Sequence, residues 1–325
     1  MSIVIKPEEG EGFLSSFARS IGTTVDHGRV NIPDKYGSGW VIGFLFGKQL
    51  RMIVRNYRLS EEVIITRHPD WLTGNIVQIS LNNILRASRD KVAEGREVRP
   101  QLPSVTITTN GFEPELYLGR DHGFNDIQIG IDAAYLGELV GTEIGHPILR
   151  NIVANDQPLV FEHIVSDALQ HTAAEIAGAR IPPPLHHFFY KLKAQELVCY
   201  LLMELSQRKE NSVQALNTRD VRMLYLVKER IGRDLARVPV LAELAAYAGI
   251  SVSKLKRLFK QVFGQNVYAY YQSLRMNEAA FLLKQKDMSV SEVGYALGFT
   301  NLSHFSKVFA QHTGMKPKKY SSGVL

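Results

Sequence analysis

The C-terminal third of this chain repeats itself, and the repeat limits the possible folds more than any other feature. Residues 240–264, VLAELAAYAGISVSKLKRLFKQVFG, align with residues 290–314, VSEVGYALGFTNLSHFSKVFAQHTG. Glu243 matches Glu292, Leu244 matches Val293 and Gly249 matches Gly298 at an offset of 49; Leu255 then matches Phe305, Phe259 matches Phe309 and Gly264 matches Gly314 at 50. The second copy therefore has one extra residue in its turn, near Thr300. Repetition of this length argues for duplication of one supersecondary unit. Each copy reads as helix, turn, helix. The first helix ends at a glycine (Gly249, Gly298) that can take the left-handed conformation a sharp exit needs. A polar cap opens the second helix: Ser251 in one copy, Thr300 or Asn301 in the other. Ser289 with Glu292 makes a capping box for the first helix of the second copy.

Laid out at about 100° per residue, the second helix of the first copy puts Leu255, Leu258, Phe259 and Val262 on one face. Ser253, Lys256, Arg257 and Lys260 fall on the opposite face. In the second copy Phe305, Val308 and Phe309 oppose Ser303, Ser306, Lys307 and Ala310. A helix face of small, polar and basic side chains suits a DNA major groove. Small residues permit close approach, Arg257 can pair with a guanine edge, and the lysines can meet bases or phosphates. The charge distribution agrees. From Ser212 onward there are 17 Lys/Arg and 7 Asp/Glu, a net of +10, whereas residues 1–211 hold 21 and 25, a net of −4. A basic C-terminal piece behind an acidic one fits a polyanion-binding domain attached to something else. The bland alternative is a helical bundle with ordinary solvated faces; tandem copies in a basic domain weigh against it.

Residues 221–320 resemble the AraC/XylS regulators. The resemblance is carried by Leu244-Ala245, Gly249-Ile250-Ser251, Leu255-Lys256-Arg257-Leu258-Phe259-Lys260, Gly264, Arg275-Met276, Ala279 and Leu282-Leu283. It continues in Val293, the run Gly298-Phe299-Thr300-Asn301, Ser303-His304-Phe305-Ser306-Lys307-Val308-Phe309, Gly314, Pro317 and Tyr320. It implies an all-α domain of seven helices, with two helix-turn-helix units joined by a long linker helix near 266–285. The helices near 251–263 and 301–311 would then enter successive major grooves, about one helical turn or ~34 Å apart. It implies that Arg275 braces structure or a phosphate rather than reading a base. It also implies a transcription regulator of effector-responsive activator type, a homodimer, with double-stranded DNA and RNA polymerase as partners. Two positions depart from the family pattern: Ser321 stands where a terminal arginine is expected, and Gly294 where alanine or a similar small residue is typical. Helix 301–311 offers few long polar side chains, so base readout there is expected to be weaker and DNA shape to matter more.

The N-terminal part is read from its own pattern. LRMIVRNYRL (50–59), VIITRH (63–68), SVTITTN (104–110), PELYLG (114–119) and DIQIGID (126–132) are strand-like, separated by turn signals such as Pro33–Gly37 and Asn110-Gly111. Strands over about 22–140 suit an antiparallel barrel or sandwich, cupin-like by family analogy. Helices are expected over 158–178 and 185–209, split by Ile181-Pro182-Pro183-Pro184. In the second of these, Phe189, Leu192, Leu197, Tyr200, Leu201 and Leu205 recur at helical spacing. Arg208–Ser212 is the candidate linker. The expected fold is thus α+β: residues 1–212 as an effector-sensing or dimerisation domain, and 213–325 as the DNA-binding domain. Trp40, Phe44, Phe46, Tyr57, Trp71 and Tyr117 are candidates for a small-molecule pocket, with core packing the commoner use of such aromatics. No effector residues are assigned.

Enzyme signatures are lacking. His27, His68, His122, His146, His163 and His171 are scattered, and the adjacent His186-His187 point about 100° apart on a helix, unsuited to one metal. Gly37, Ser38, Gly39 and Gly43 do not make a dinucleotide fingerprint. The single cysteine, Cys199, is expected to be a small core residue; it excludes a disulfide framework or cysteine-cluster zinc site and suits a reducing cytoplasm. No metal, cofactor, signal peptide or membrane helix is expected. The competing readings are an enzyme domain fused to a DNA-binding module and a protein-interaction module.

Overall fold

Ten residues, LRMIVRNYRL, form strand β4 (Leu50–Leu59), the spine of the N-terminal sheet. Alternate side chains of a strand point to opposite faces. Leu50, Met52 and Val54 enter one buried cluster, while Tyr57 and Leu59 enter another on the far face. The computed structural model describes residues 2–5, 12–60, 62–65, 75–85, 103–109, 123–141, 145–208, 213–285 and 287–322. These fall into two compact units, one running to Leu216 and the other starting at Asn217.

In the first unit, β4 pairs with β3 (Gly37–Phe46) and β8 (Gly123–Asp132). The sheet continues through β6 (Ile76–Asn82) and β7 (Ser104–Thr108), and its edges are β2 (Arg29–Asn31) and β9 (Val160–Ile164). All pairs in this seven-stranded sheet are antiparallel, in the order β2-β3-β4-β8-β6-β7-β9. Two further strands, β1 (Ser2–Ile5) and β5 (Glu62–Ile65), form a separate parallel pair. The larger core lies under Val77, Ile79, Leu81, Ile127, Ile129 and Ile131. Helices α2 (Ala133–Val140), α3 (Pro147–Ala154), α4 (Asp167–Gly178) and α5 (His186–Ser206) cover it. Helix α1 (Phe13–Ser20) packs Phe17 and Ala18 into the smaller core of the opposite face. There the neighbouring strands β4 and β8 also bury a bidentate pair: Arg55 Nε and Nη2 donate to the Asp126 carboxylate at 2.8 and 2.5 Å. Burial opposes the Arg55 charge, but Asp126 and the hydrogen bonds to it outweigh that, and the guanidinium is held protonated.

Several expectations are corrected here. Apart from the β1–β5 pair, the described strands form one sheet with β2 and β9 at its edges, and helices rather than a second sheet cover its larger core. Residues 158–178 are not one helix. Val160–Ile164 is strand β9, bound along the edge of β7, and the helix starts only after Ser166, whose side chain caps it by accepting from the Leu169 amide. The run Val-Phe-Glu-His-Ile has strand propensity, and an open sheet edge was there to receive it. Residues 133–140, expected among the strands, are helix α2, which Asp132 caps by accepting from the Tyr135 amide. On α5 the buried face is Tyr190, Ala194, Leu197, Val198, Leu201 and Leu205, whereas Leu192 and Cys199 are exposed. Arg208 is buried rather than part of a free linker: it donates to the Glu162 carbonyl, and its own carbonyl lies 2.8 Å from His146 Nε2. Leu216 is also bound to this unit, its amide donating to the Pro158 carbonyl. Phe46 and Tyr57 are core residues, and Trp40 and Phe44 are partly buried against the larger core. The strand expected at 114–119, Trp71, Tyr117, His68, His122 and Asn110-Gly111 lie outside the described residues.

The second unit is a set of seven helices among the described residues: α6 (Thr218–Arg233), α7 (Leu241–Tyr247), α8 (Val252–Phe263), α9 (Val267–Gln285), α10 (Val290–Ala296), α11 (Leu302–Thr313) and α12 (Pro317–Ser322). The long α9 ties the two helix pairs together. Tyr271 is fully buried and donates its hydroxyl to the Leu235 carbonyl between α6 and α7. One turn on, Arg275 is 4% exposed. Its Nε and Nη2 donate to the Leu297 carbonyl at 3.1 and 2.5 Å, and its guanidinium sits 3.8 Å from the Phe299 ring centroid. Gly298 takes φ 77° in the same turn, and a Cβ there would collide with the backbone of Ala236. Only glycine allows that approach.

Two measurements follow. Arg275→Met leaves the Leu297 carbonyl without its donors and should lower the stability of the second unit by roughly 2–4 kcal/mol. Urea unfolding reads the loss, and hydrogen exchange across α10 and α11 locates it; an unchanged midpoint would show that the brace carries no stability. In the first unit, burial and the nearby Arg208 push His163 down to about 4. The unfolded chain protonates at the ordinary value near 6.5. It therefore binds more protons over that interval, and this contribution to stability is lost as pH falls from about 6.5 towards 4. Glu204, 3.5 Å from His163 and pushed upward by burial, acts in the opposite sense. The His163 share is thus read as a difference: stability should fall less steeply with acid in His163→Gln than in the wild type, and equal slopes would contradict the shift.

Candidate nucleic-acid interface

The two short helix pairs of the second unit are built alike. After α7, Gly249 adopts φ 64° and the Ile250 amide returns to the Ala245 carbonyl at 3.0 Å. After α10, Gly298 does the same and the Phe299 amide returns to Gly294 at 3.0 Å. Ser251 caps α8 by accepting from the Lys254 amide. Asn301, rather than Thr300, caps α11 by accepting from His304. At α10 the reciprocal Ser289–Glu292 capping box is present.

Each pair is closed by an apolar seam. On α8, Leu255, Leu258, Phe259 and Val262 are buried, and Phe259 and Phe263 stack with Tyr270 of α9. On α11, Phe305 and Phe309 are buried while Val308 is only half-buried. Gly294 has a packing reason: a Cβ there would press on the Leu302 and Phe305 side chains, so α10 and α11 can approach closely. Arg275 is committed to the Leu297 carbonyl and the Phe299 ring, which is a bracing role.

What these seams leave outside is the surface of interest. Ser253, Lys256, Arg257 and Lys260 are all exposed on the outer face of α8. Lys254, one residue from Ser253, is drawn away to Asp220 at 2.8 Å. On α11, Ser303 and Lys307 are exposed while Ser306 and Ala310 are half-buried. Here the surface is concave. An open depression of about 780 Å³ is lined by Leu302, Ser303, Ser306, Lys307, Ala310, Gln311 and Lys316. The structure thus brings Ser303, Ser306 and Lys307 into one recess and adds Leu302, Gln311 and Lys316, which helical periodicity did not single out. Lys316 lies beyond the glycine that ends α11, where a helical wheel does not reach. Among the described residues no group of three or more His, Cys, Asp or Glu side chains is placed to hold a metal ion. No described helix is long and apolar enough to cross a membrane.

Comparison with known proteins places this geometry. A family model described as a helix-turn-helix domain matches residues 244–323. The regulator GbdR of Pseudomonas aeruginosa is 39% identical over 83 residues, 26% of this chain and 23% of that protein. The arabinose operon regulatory protein of Escherichia coli is 32% identical over 83 residues, 26% of this chain and 28% of its own. The aligned part thus spans about a quarter of each of these regulators. Among solved structures, an AraC-type DNA-binding-domain regulator from Chromobacterium violaceum is 30% identical, covering 33% of this chain and 95% of that one, with a TM-score of 0.31. The C-terminal region of this chain belongs to the AraC family of helix-turn-helix regulators.

Proposed function

We propose that the protein is a sequence-specific DNA-binding transcription regulator in which α8 and α11 enter successive major grooves of one duplex. The observation that carries this reading is the outer face of α8, where Lys256, Arg257 and Lys260 stand exposed together above the seam of Leu255, Leu258, Phe259 and Val262. Arg257 is assigned to a guanine edge, Lys256 and Lys260 to bases or phosphates, and Ser253 to close approach at the helix start. Ser303, Ser306 and Lys307 are the corresponding contacts of α11. The brace through α9 supports treating both helices as one body with a preset spacing. The DNA-binding domain, expected over 213–325, starts in this reading at Asn217, since Val213 and Leu216 pack with the first unit. Residues 1–212 are the sensing or dimerisation domain, through which a small effector acts and from which activation through RNA polymerase is controlled.

Dimerisation is assigned to α5. Its inner face is buried in the sheet core, yet Leu192, Cys199 and Met203 are exposed on the helix, in line with Leu185 and Phe188 at its start. Phe188 is 68% exposed. Spacings of three, four and seven residues place these side chains along one stripe, the pattern of a helix seam awaiting its copy.

Selection of binding sites from random DNA with the full-length protein, followed by salt titration, tests the main reading. Enrichment of one element spanning two major grooves, with binding that weakens steeply in salt, is the expected result; no binding to any duplex at low salt would overturn it. On the selected site, Arg257→Ala should lose about 1–3 kcal/mol of discrimination against scrambled sequence. Lys260→Ala should weaken binding to all sequences alike and reduce the salt slope by about one unit. Wild-type discrimination in the first variant, or an unchanged slope in the second, would remove that residue from the interface. For the dimer, Phe188→Glu with Leu192→Glu should convert the protein to a monomer in sedimentation velocity; a wild type that is already monomeric would refute the α5 seam.

A further inference from the structure

The duplicated helices let each position of α11 be compared with its counterpart on α8. At the offset of 50, Lys256 corresponds to Ser306, Arg257 to Lys307, and Lys260 to Ala310. Two of the three long cations on the α8 face are therefore cut back to a hydroxymethyl and a methyl on α11. The open depression of about 780 Å³ lies along these truncated positions, between Leu302 at one end and Ala310 and Gln311 at the other. Leu302 is held there because Gly294 beneath it leaves no Cβ to displace it. A lysine reappears at the rim: Lys316 stands where the first copy has Asn266. No carboxylate lines the recess.

Leu302, Ala310 and the two serine side chains of the recess make no bidentate contact of the kind that reads guanine or adenine, which leaves such contacts to Gln311 and the two lysines. The recess offers apolar surface, small hydroxyls and room, with Lys307 and Lys316 placed for anionic groups at the edge. Of the four bases, only thymine carries an apolar group, its C5 methyl, into the major groove.

We propose, building on the DNA-binding reading above, that α11 recognises thymine. C5-methyl groups of its half-site seat in the recess between Leu302 and Ala310, while Lys307 and Lys316 hold the flanking phosphates. The two half-sites are thereby read by different chemistry, polar base edges by α8 and methyl groups by α11.

The test uses the full-length protein and the duplex enriched from random DNA, with thymines replaced by deoxyuridine in one half-site at a time. This removes only the methyl groups. Uracil in the α11 half should weaken binding about three- to five-fold for each seated methyl, while uracil in the α8 half should leave affinity within two-fold. Ala310→Lys, which restores the α8 pattern, should abolish the uracil effect and steepen the salt dependence by about one phosphate. The uracil comparison needs no variant, so misfolding cannot obscure it. An α11 half-site without thymine, or equal tolerance of uracil in both halves, would overturn the proposal while leaving the DNA-binding reading intact. Absence of binding to any duplex would overturn both.

Discussion

The Arg275 guanidinium, bonded twice to the Leu297 carbonyl and stacked on Phe299, joins the long helix α9 to the turn between α10 and α11. The orientation of α11 rests on that turn together with its own buried Phe305 and Phe309, so this contact helps set what α11 presents outward. An arginine can do this where a lysine cannot, because its planar fork bonds a carbonyl and covers a ring at once. Desolvation makes the buried charge costly, and the carbonyl and ring compensate it. Two neighbours complete the joint: Tyr271 reaches the Leu235 carbonyl, and Gly298 lets the second turn rest on the backbone of Ala236. The two helix pairs are therefore linked through backbone atoms, which a change of surface side chains would not disturb.

On this joint, duplication has produced two faces with different chemistry. The seams are alike: Leu255 and Phe259 in one copy, Phe305 and Phe309 in the other, all fully buried. The caps are alike too, with Ser251 and Asn301 doing the same work for the first free amides. Packing and capping constrain those positions in both copies. The outward positions carry no such constraint, and there the copies diverge, from the Lys256–Lys260 cluster to the recess at Ser306 and Ala310.

The first unit shows the same separation between what packs and what remains available. Its sheet buries aliphatic side chains from five strands under four helices. α5 spends its inner face on that core and keeps a second apolar stripe outside. Its end is anchored: Arg208 reaches the Glu162 carbonyl on edge strand β9, and His163 and Glu204 pack nearby with their protonation displaced by burial.

Much of this was legible in the residues themselves. The repeat, the glycines at the turns, the capping box and the apolar faces of α8 and α11 are local patterns, set by helix periodicity and by hydrogen bonds spanning three or four residues. β4 could be read for a similar reason, since its β-branched and aromatic residues lie within ten consecutive positions. What failed was decided at a distance. Val160–Ile164 became a strand because β7 offered an edge. Leu192 and Cys199 turned outward because the sheet contacts a different stripe of α5, and Arg208 was drawn inward by a carbonyl 46 residues away. The sequence by itself determined the class of the C-terminal domain and which faces of α8 and α11 are buried, because capping, turn chemistry and amphipathic spacing act over a few residues. Only the tertiary structure decided that Arg275 joins the two helix pairs and that Leu302, Ala310 and Lys316 form one recess, because those groups meet only when separate helices pack.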